Sequence, residues 1–256
     1  MQDSPQKVVI IPARLASSRL PNKVILDLGG KPIIQRVYEQ ASKATKIHKV
    51  FIATDSDQVA AICRKFTDHV IMTQPDHPTG TDRIAEAIGK LSADIVINVQ
   101  GDEPFIDPAV IDQLADRMEK TEVPMATVAS RITRVDDLLN PNIVKVVFDK
   151  QGKALYFSRS VIPFAREVKW EELEEIPEAL HYYRHFGIYA FRRGFLLRYA
   201  ALRPTFLEKT ERLEQLRALE NGYTISVIEA ERQSIGIDTE EDLQKARKIA
   251  ADFFIS

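Results

Sequence analysis

Four short runs, "VVII" (8–11), "KVFIA" (49–53), "HVIM" (69–72) and "DIVINV" (94–99), are almost wholly apolar and rich in β-branched residues. A strand with one wet face alternates polar and apolar residues, whereas an unbroken run marks a strand covered on both faces. Helical stripes lie between the runs. "IIQRVYEQASKA" aligns Ile33, Ile34, Val37, Tyr38 and Ala41, "DRIAEAIGKL" aligns Ile84, Ala87, Ile88 and Leu91, and "VAAICRKF" is helical as well. The predicted class is α/β, a mainly parallel sheet flanked by helices with right-handed crossovers.

The second half is less regular. "ATVAS", "VKVVFD", "ALYF" and "GIYAF" read as strands, with "DKQG" (149–152) as a hairpin turn between two of them. The acidic stretch "WEELEEIPEAL" interrupts them, and two helices close the chain. Thr205 and Thr239 each begin a capping box, and Gly222 stops the first of these helices. No repeat or long linker divides the 256 residues. One domain is therefore expected, with an inserted subregion over about residues 131–205 between the first part, 1–130, and a return to the main sheet over 206–256.

The charge is nearly balanced, 35 Lys and Arg against 37 Asp and Glu. Nothing sequence-wide advertises nucleic acid or an anionic membrane, and no apolar run is long enough to span a bilayer. Cys63 is the single cysteine, which excludes an internal disulfide and reads as a small buried hydrophobe. The N-terminus has no signal architecture, so the expected location is the cytoplasm.

Open α/β sheets bind ligands beyond the carboxyl ends of their strands. After the first run comes "PARLASSRLPNK", with Arg14, Arg19 and Lys23 and no acid. That is the composition of a phosphate site, although a solvated surface loop also fits. The spacing excludes a Walker A loop. After the fourth run comes "QGDEP", and "GIDTEED" sets Asp238 before the last helix. Asp102 and Asp238 suit Mg²⁺, which takes one or two carboxylates plus phosphate oxygens. Each alone reads equally well as a turn or cap residue.

In order along the chain, "IPARLASSRLPNK", "ATDS", "GTDR", "NVQGDEP", "NPNIVKVVFD", "ALYFSRSVIPFAR", "HFGIYAFRR", "LEQLRALENG" and "GIDTEEDL" resemble the 3-deoxy-manno-octulosonate (Kdo) cytidylyltransferases. The likeness runs from about residue 8 to about residue 247. It implies a Rossmann-like nucleotide-diphosphosugar transferase fold, with residues 1–130 binding nucleotide and about 131–205 serving sugar binding and dimerisation, a homodimer, and Mg²⁺-dependent transfer of CMP from CTP to Kdo for lipopolysaccharide synthesis. It also implies that Pro12, Ala13, Arg14, Arg19, Lys23, Gln100 and Asp102 hold the nucleotide. Asp102 and Asp238 would bind the metal; with Arg19 and Lys23 they would form the catalytic set. Arg83, Arg159, Arg166, His185, Tyr189, Glu214 and Gln215 would surround the sugar. Phe191 and Glu240 stand where the family often has tyrosine and proline.

The resemblance implies in-line attack of the Kdo anomeric hydroxyl on the α-phosphorus. Alternatives are another acceptor, such as sialic acid or a sugar phosphate, or a non-catalytic nucleotide-binding protein. His69, His77 and His181 lack metal-ligand spacing. Trp170 reads as an anchor in the subregion or at a dimer contact, and Arg192 and Arg193 as a solvated face.

Overall fold

The computed structural model describes residues 5–15, 19–231 and 236–254. The apolar runs are strands β1 (Lys7–Ala13), β2 (Lys49–Thr54), β3 (Val70–Met72) and β4 (Ile95–Asn98). They lie in the order β3-β2-β1-β4, all parallel. Helices α1 (Ile33–Ala41), α2 (Asp57–Cys63) and α3 (Gly80–Gly89) make the crossovers. The expected stripes are the buried ones: Ile33, Ile34 and Val37 in α1, and Ile84, Ala87 and Ile88 in α3, are inaccessible to solvent. Cys63 is buried too, and burial pushes its thiol up to about 12, leaving it a packing residue.

Beyond β4 one antiparallel strand interrupts the parallel order. α4 (Pro108–Lys120) and β5 (Met125–Ile132) follow. The long strand β8 (Tyr182–Arg192) is inserted antiparallel between β4 and β5, and β9 (Ile225–Glu229) pairs parallel with β5. The ladder between β5 and β8 slips at Thr127/Val128, where β8 bulges at Gly187 and Ile188. Two apolar layers sandwich the sheet, one under α1 and α4, the other under α3, α6 (Arg193–Ala200) and α8 (Leu216–Glu220).

Between β5 and β8 the chain leaves the sheet through α5 (Val135–Leu139), then forms the antiparallel pair β6 (Lys145–Phe148) and β7 (Ala154–Ser158). The turn joining them is the predicted one, Asp149 Oδ1 accepting from the N–H groups of Gln151 and Lys153. Ile132, Val135, Leu138, Trp170 and Tyr182 make a separate small cluster here. Trp170 packs edge-on against Tyr182 with ring centroids 5.3 Å apart.

Three expectations are corrected. The single helix predicted after Thr205 is two, α7 (Phe206–Glu211) and α8, because Arg212 adopts a left-handed conformation at φ 53°. Helix α4 and strand β9 are additions to the predicted elements. Arg192 is not a solvated charge: its guanidinium donates to the carbonyls of Met118 and Thr121, capping the end of α4. The apolar stretch before Asp238 falls partly on residues 232–235, which lie outside the described residues; the Asp238 segment is fixed by Ile237 N–H donating to Asp102 C=O at 2.9 Å. Helix α9 (Glu240–Phe253) then begins at a complete capping box, Thr239 with Asp242.

Candidate active site

The ends of β1 and β4 are neighbours in the sheet, so the segments that follow them meet. A cleft of about 290 Å³ opens there, lined by Pro12, Arg14, Arg19, Lys23, Gln100, Asp102 and Asp238 among others. Gly101 makes the approach possible, since a Cβ on it would sit 2.8 Å from the Pro12 carbonyl oxygen. The cationic loop is tied down by Leu20 and Val24, both buried, with Lys23 opening a 3₁₀ turn (Lys23–Ile25).

At the mouth, cations and carboxylates are paired. Lys23 Nζ lies 2.5 Å from Asp102 Oδ2 and 2.9 Å from Asp238 Oδ1, and Arg19 reaches the same Asp238 oxygen at 3.1 Å. Burial works against the Lys23 charge, but the two carboxylates outweigh it and raise its pKa, so Lys23 is an ammonium at any physiological pH. Cations and carboxylates thus interlock at the mouth of the cleft. Arg14 is partly buried beside them, and burial together with neighbouring Arg83 lowers its pKa. Its Nη2 has no hydrogen-bond partner among the described residues.

A second group, uncharged where it is deepest, stands beside the first. Tyr189 O–H donates to Gln215 Oε1 at 3.1 Å, and Gln215 Nε2 meets His185 Nδ1 at 3.5 Å. His185 Nε2 lies 2.9 Å from Thr127 Oγ1, which donates onward to Ile188 C=O at 2.8 Å. Only one polarity satisfies all four links: Nε2 of His185 carries the proton and Nδ1 accepts. Burial lowers His185 to about 3, which keeps the ring neutral. Burial likewise raises the Tyr189 phenol.

Glu214 joins the two groups. Its carboxylate accepts from Thr79 Oγ1 at 3.3 Å and Thr81 Oγ1 at 3.0 Å, at the start of α3, next to Gly80 of the cleft wall. Burial raises its pKa, an effect that the Thr81 bond only partly offsets. The kink at Arg212 makes this possible, because an unbroken helix would not present Glu214 and Gln215 from a turn.

The remaining sugar candidates are placed differently. Arg159 is braced by Glu211 C=O at 2.8 Å and Pro141 C=O at 3.0 Å, linking the "NPN" turn to α7. Arg83 does not face the cleft as the resemblance implies: it is wholly buried, donating to Asp55 at 3.0 Å and Thr73 at 2.5 Å, and so holds the ends of β2 and β3 beneath Arg14. Arg166 is exposed on the connection before Trp170, and no described bond draws it to either group. Gln100 reaches across to β8, its Nε2 donating to Gly187 C=O at 3.3 Å.

Two buried polar residues beside the site carry no sequence signal for it. Thr127 gives no signal inside an apolar strand. Asn98, 1% exposed, directly below Gln100 on β4 and in register with Tyr189, has both amide atoms unpartnered among the described residues. His77, by contrast, is a loop residue bonded to Glu86 at 2.6 Å.

The chain has known relatives over nearly its whole length. Residues 8–230 match the family model described as Cytidylyltransferase. A 3-deoxy-manno-octulosonate cytidylyltransferase of Pelobacter propionicus is 51% identical over 243 residues, covering 93% of this chain and 95% of that protein. One from Geobacter sulfurreducens is 50% identical over 240 residues, covering 92% and 96%. This chain belongs to the 3-deoxy-manno-octulosonate cytidylyltransferase family. Among solved structures, a CMP:2-keto-3-deoxy-manno-octonic acid synthetase complexed with CTP superposes with a TM-score of 0.89 at 40% identity, covering 96% of this chain and 99% of that one. The two departures from the cytidylyltransferase pattern leave the cleft intact. Phe191 is buried against Phe195 and Tyr199, and Glu240 sits in the first turn of α9, where its charge suits the helix dipole.

Proposed function

We propose that this protein activates Kdo, catalysing CTP + Kdo → CMP-Kdo + diphosphate, the step that supplies activated Kdo for lipopolysaccharide synthesis. The observation that carries this reading is the meeting of Arg14, Arg19 and Lys23 with Asp102 and Asp238 around one cleft, in a chain whose fold matches that of a CTP-bound relative. The neutral group beside it favours a sugar acceptor rich in hydroxyls over one bearing a phosphate, because its deepest members, Tyr189, Gln215 and His185, offer hydrogen bonds and no charge.

In this mechanism the triphosphate lies along the cationic loop, with Pro12 and Ala13 at the nucleoside end and Arg14, Arg19 and Lys23 on the phosphates. The sugar lies against Tyr189, Gln215, His185 and Glu214, with Arg159 and Arg166 serving its carboxylate. The anomeric oxygen attacks the α-phosphorus in line. A new O–P bond forms as the bond to the bridging oxygen breaks, the electron pair leaves on diphosphate, and the hydroxyl proton passes to water. Orientation and charge neutralisation carry the step, with Arg19 and Lys23 balancing the charge that grows on the leaving diphosphate.

Asp102 and Asp238 suit Mg²⁺: both are oxygen donors, and they converge closely enough to share one ammonium. Among the described residues no group of three His, Cys, Asp or Glu forms a cage, which matches an ion that takes its other ligands from phosphate and water. Bound there, Mg²⁺ supplies polarisation of the α-phosphate and a template for the attacking oxygen. A homodimer in the cytoplasm completes the proposal. Leu155 and Phe164, 60% and 82% exposed on the subregion, support a partner surface there, and no described helix is long and apolar enough to cross a membrane.

Diphosphate release from CTP tests the reading, measured with Kdo and with sialic acid, each with and without Mg²⁺. Release with Kdo alone, dependent on Mg²⁺, is expected. Turnover of sialic acid without Kdo turnover would keep the nucleotidyl transfer and discard the acceptor.

A further inference from the structure

Lys23 occupies the space between the two carboxylates that a divalent ion needs. Its Nζ bonds to Asp102 and Asp238 at 2.5 and 2.9 Å, and Arg19 adds a contact of 3.1 Å to Asp238. Two positive charges therefore already neutralise two negative ones. Mg²⁺ binds oxygen at about 2.0–2.1 Å and gives up its water reluctantly, so carboxylates engaged by an ammonium and a guanidinium offer it little.

Resting on the assignment of Asp102 and Asp238 as metal carboxylates, we infer that Lys23 is an exchange residue. Without nucleotide it holds the metal carboxylates; a triphosphate draws it away, so the divalent ion is admitted together with the nucleotide and poorly before it.

Two observations and one general property carry this. The Lys23 backbone is fixed by its 3₁₀ turn and by buried Leu20 and Val24, and its side chain is 12% exposed, so the ammonium changes partners within the cleft without leaving for solvent. Phosphate oxygens give Lys23 charge-assisted bonds equivalent to those it surrenders. Arg14 lines the same cleft with an Nη2 that has no partner among the described residues, so it can receive phosphate with no carboxylate to release, and can begin the exchange. The coupling is reciprocal: the factor by which nucleotide tightens metal binding equals the factor by which metal tightens nucleotide binding.

Mn²⁺ binding to the intact protein tests it, followed by water-proton relaxation enhancement, which separates protein-bound from nucleotide-bound ion, with and without a non-hydrolysable CTP analogue. The wild type is expected to bind Mn²⁺ at least about ten-fold more tightly with the analogue, and Lys23→Met to bind it without nucleotide at least about ten-fold more tightly than the wild type does. Arg19→Leu gives a smaller gain. A Lys23→Met protein that binds nucleotide-free Mn²⁺ no better than the wild type overturns the exchange. Should circular dichroism show that variant unfolded, Lys23→Gln takes its place: the same gain is expected of it, and the lack of a gain overturns the exchange in the same way. Asp102→Asn tells the two readings apart. If it abolishes nucleotide-dependent Mn²⁺ binding while the Lys23 variant shows no gain, the metal site stands and the exchange fails. If Asp102→Asn and Asp238→Asn both bind Mn²⁺ as the wild type does, the metal site falls and the exchange with it.

Discussion

The two halves of the candidate site handle polarity in opposite ways. At the mouth, Arg19, Lys23, Asp102 and Asp238 are formal charges, partly exposed, each with a partner it can exchange. Deeper in, Tyr189, Gln215, His185 and Thr127 form a neutral chain in which every proton has one place. Charges near water change partners at small net cost, because solvent and incoming phosphate replace what is lost. A buried neutral chain has no such substitute, and it fixes one geometry. The first half suits a ligand that brings its own charge; the second suits a hydroxylated ligand that must arrive in a single orientation.

The largest expected effect breaks the charged half. Asp102→Asn keeps shape and removes charge, and is expected to lower kcat at least about 100-fold in a diphosphate-release assay, with the thermal midpoint little changed. Gln215→Leu sharpens the contrast. It cuts the neutral chain at its centre, and steady-state kinetics are expected to give roughly a ten-fold higher KM for Kdo, with KM for CTP nearly unchanged.

Acid titration separates the halves further. His185 titrates at about 3 in the folded protein against 6.5 as its ordinary value, so between these pH values the folded state binds fewer protons than the unfolded. Stability is therefore lost as pH falls below about 6.5, on this account by about 2 kcal/mol between pH 7 and pH 5. Urea unfolding at both pH values should show that loss in the wild type and not in His185→Gln. The smallest effect is at Asn98. Replacing its unpartnered amide with the apolar isostere in Asn98→Leu is expected to raise stability by up to about 1 kcal/mol, read from the shift in urea midpoint.

The charged half was largely legible in the sequence, and the neutral half was not. Each β-branched run before a charged loop is a local pattern, and the parallel sheet brings such loops to one edge by rule, so Arg14, Lys23 and Asp102 meet as expected. The pairing of Lys23 with both carboxylates has no local signature, since it joins residues 79 and 215 positions apart. The resemblance sets Arg83 beside the sugar, yet Asp55 and Thr73 give it partners that only the fold supplies. Glu214 and Gln215 appear in the sequence as part of one helix, because nothing local announces the left-handed Arg212. Where resemblance named residues of the neutral chain, periodicity alone would have assigned Tyr189 to the core.

The bulge in β8 acts as a ruler. His185 and Tyr189 are four residues apart, which along a regular strand is about 13 Å. Because Gly187 and Ile188 are gathered into the bulge, His185 and Tyr189 stand opposite Ala129 and Thr127, two residues apart on β5, and their rings approach to 5.4 Å. The contraction leaves both side chains on the same face while more than halving their separation. Deleting Gly187 and Ile188 would keep His185 and Tyr189 opposite Ala129 and Thr127, whereas straightening the same residues into a regular strand would draw the two side chains apart to about 13 Å. In this molecule the distance between two site residues is written in a local irregularity of the backbone, and the same irregularity offers the Gly187 carbonyl to Gln100, so the spacing of one half is tied to the wall of the other.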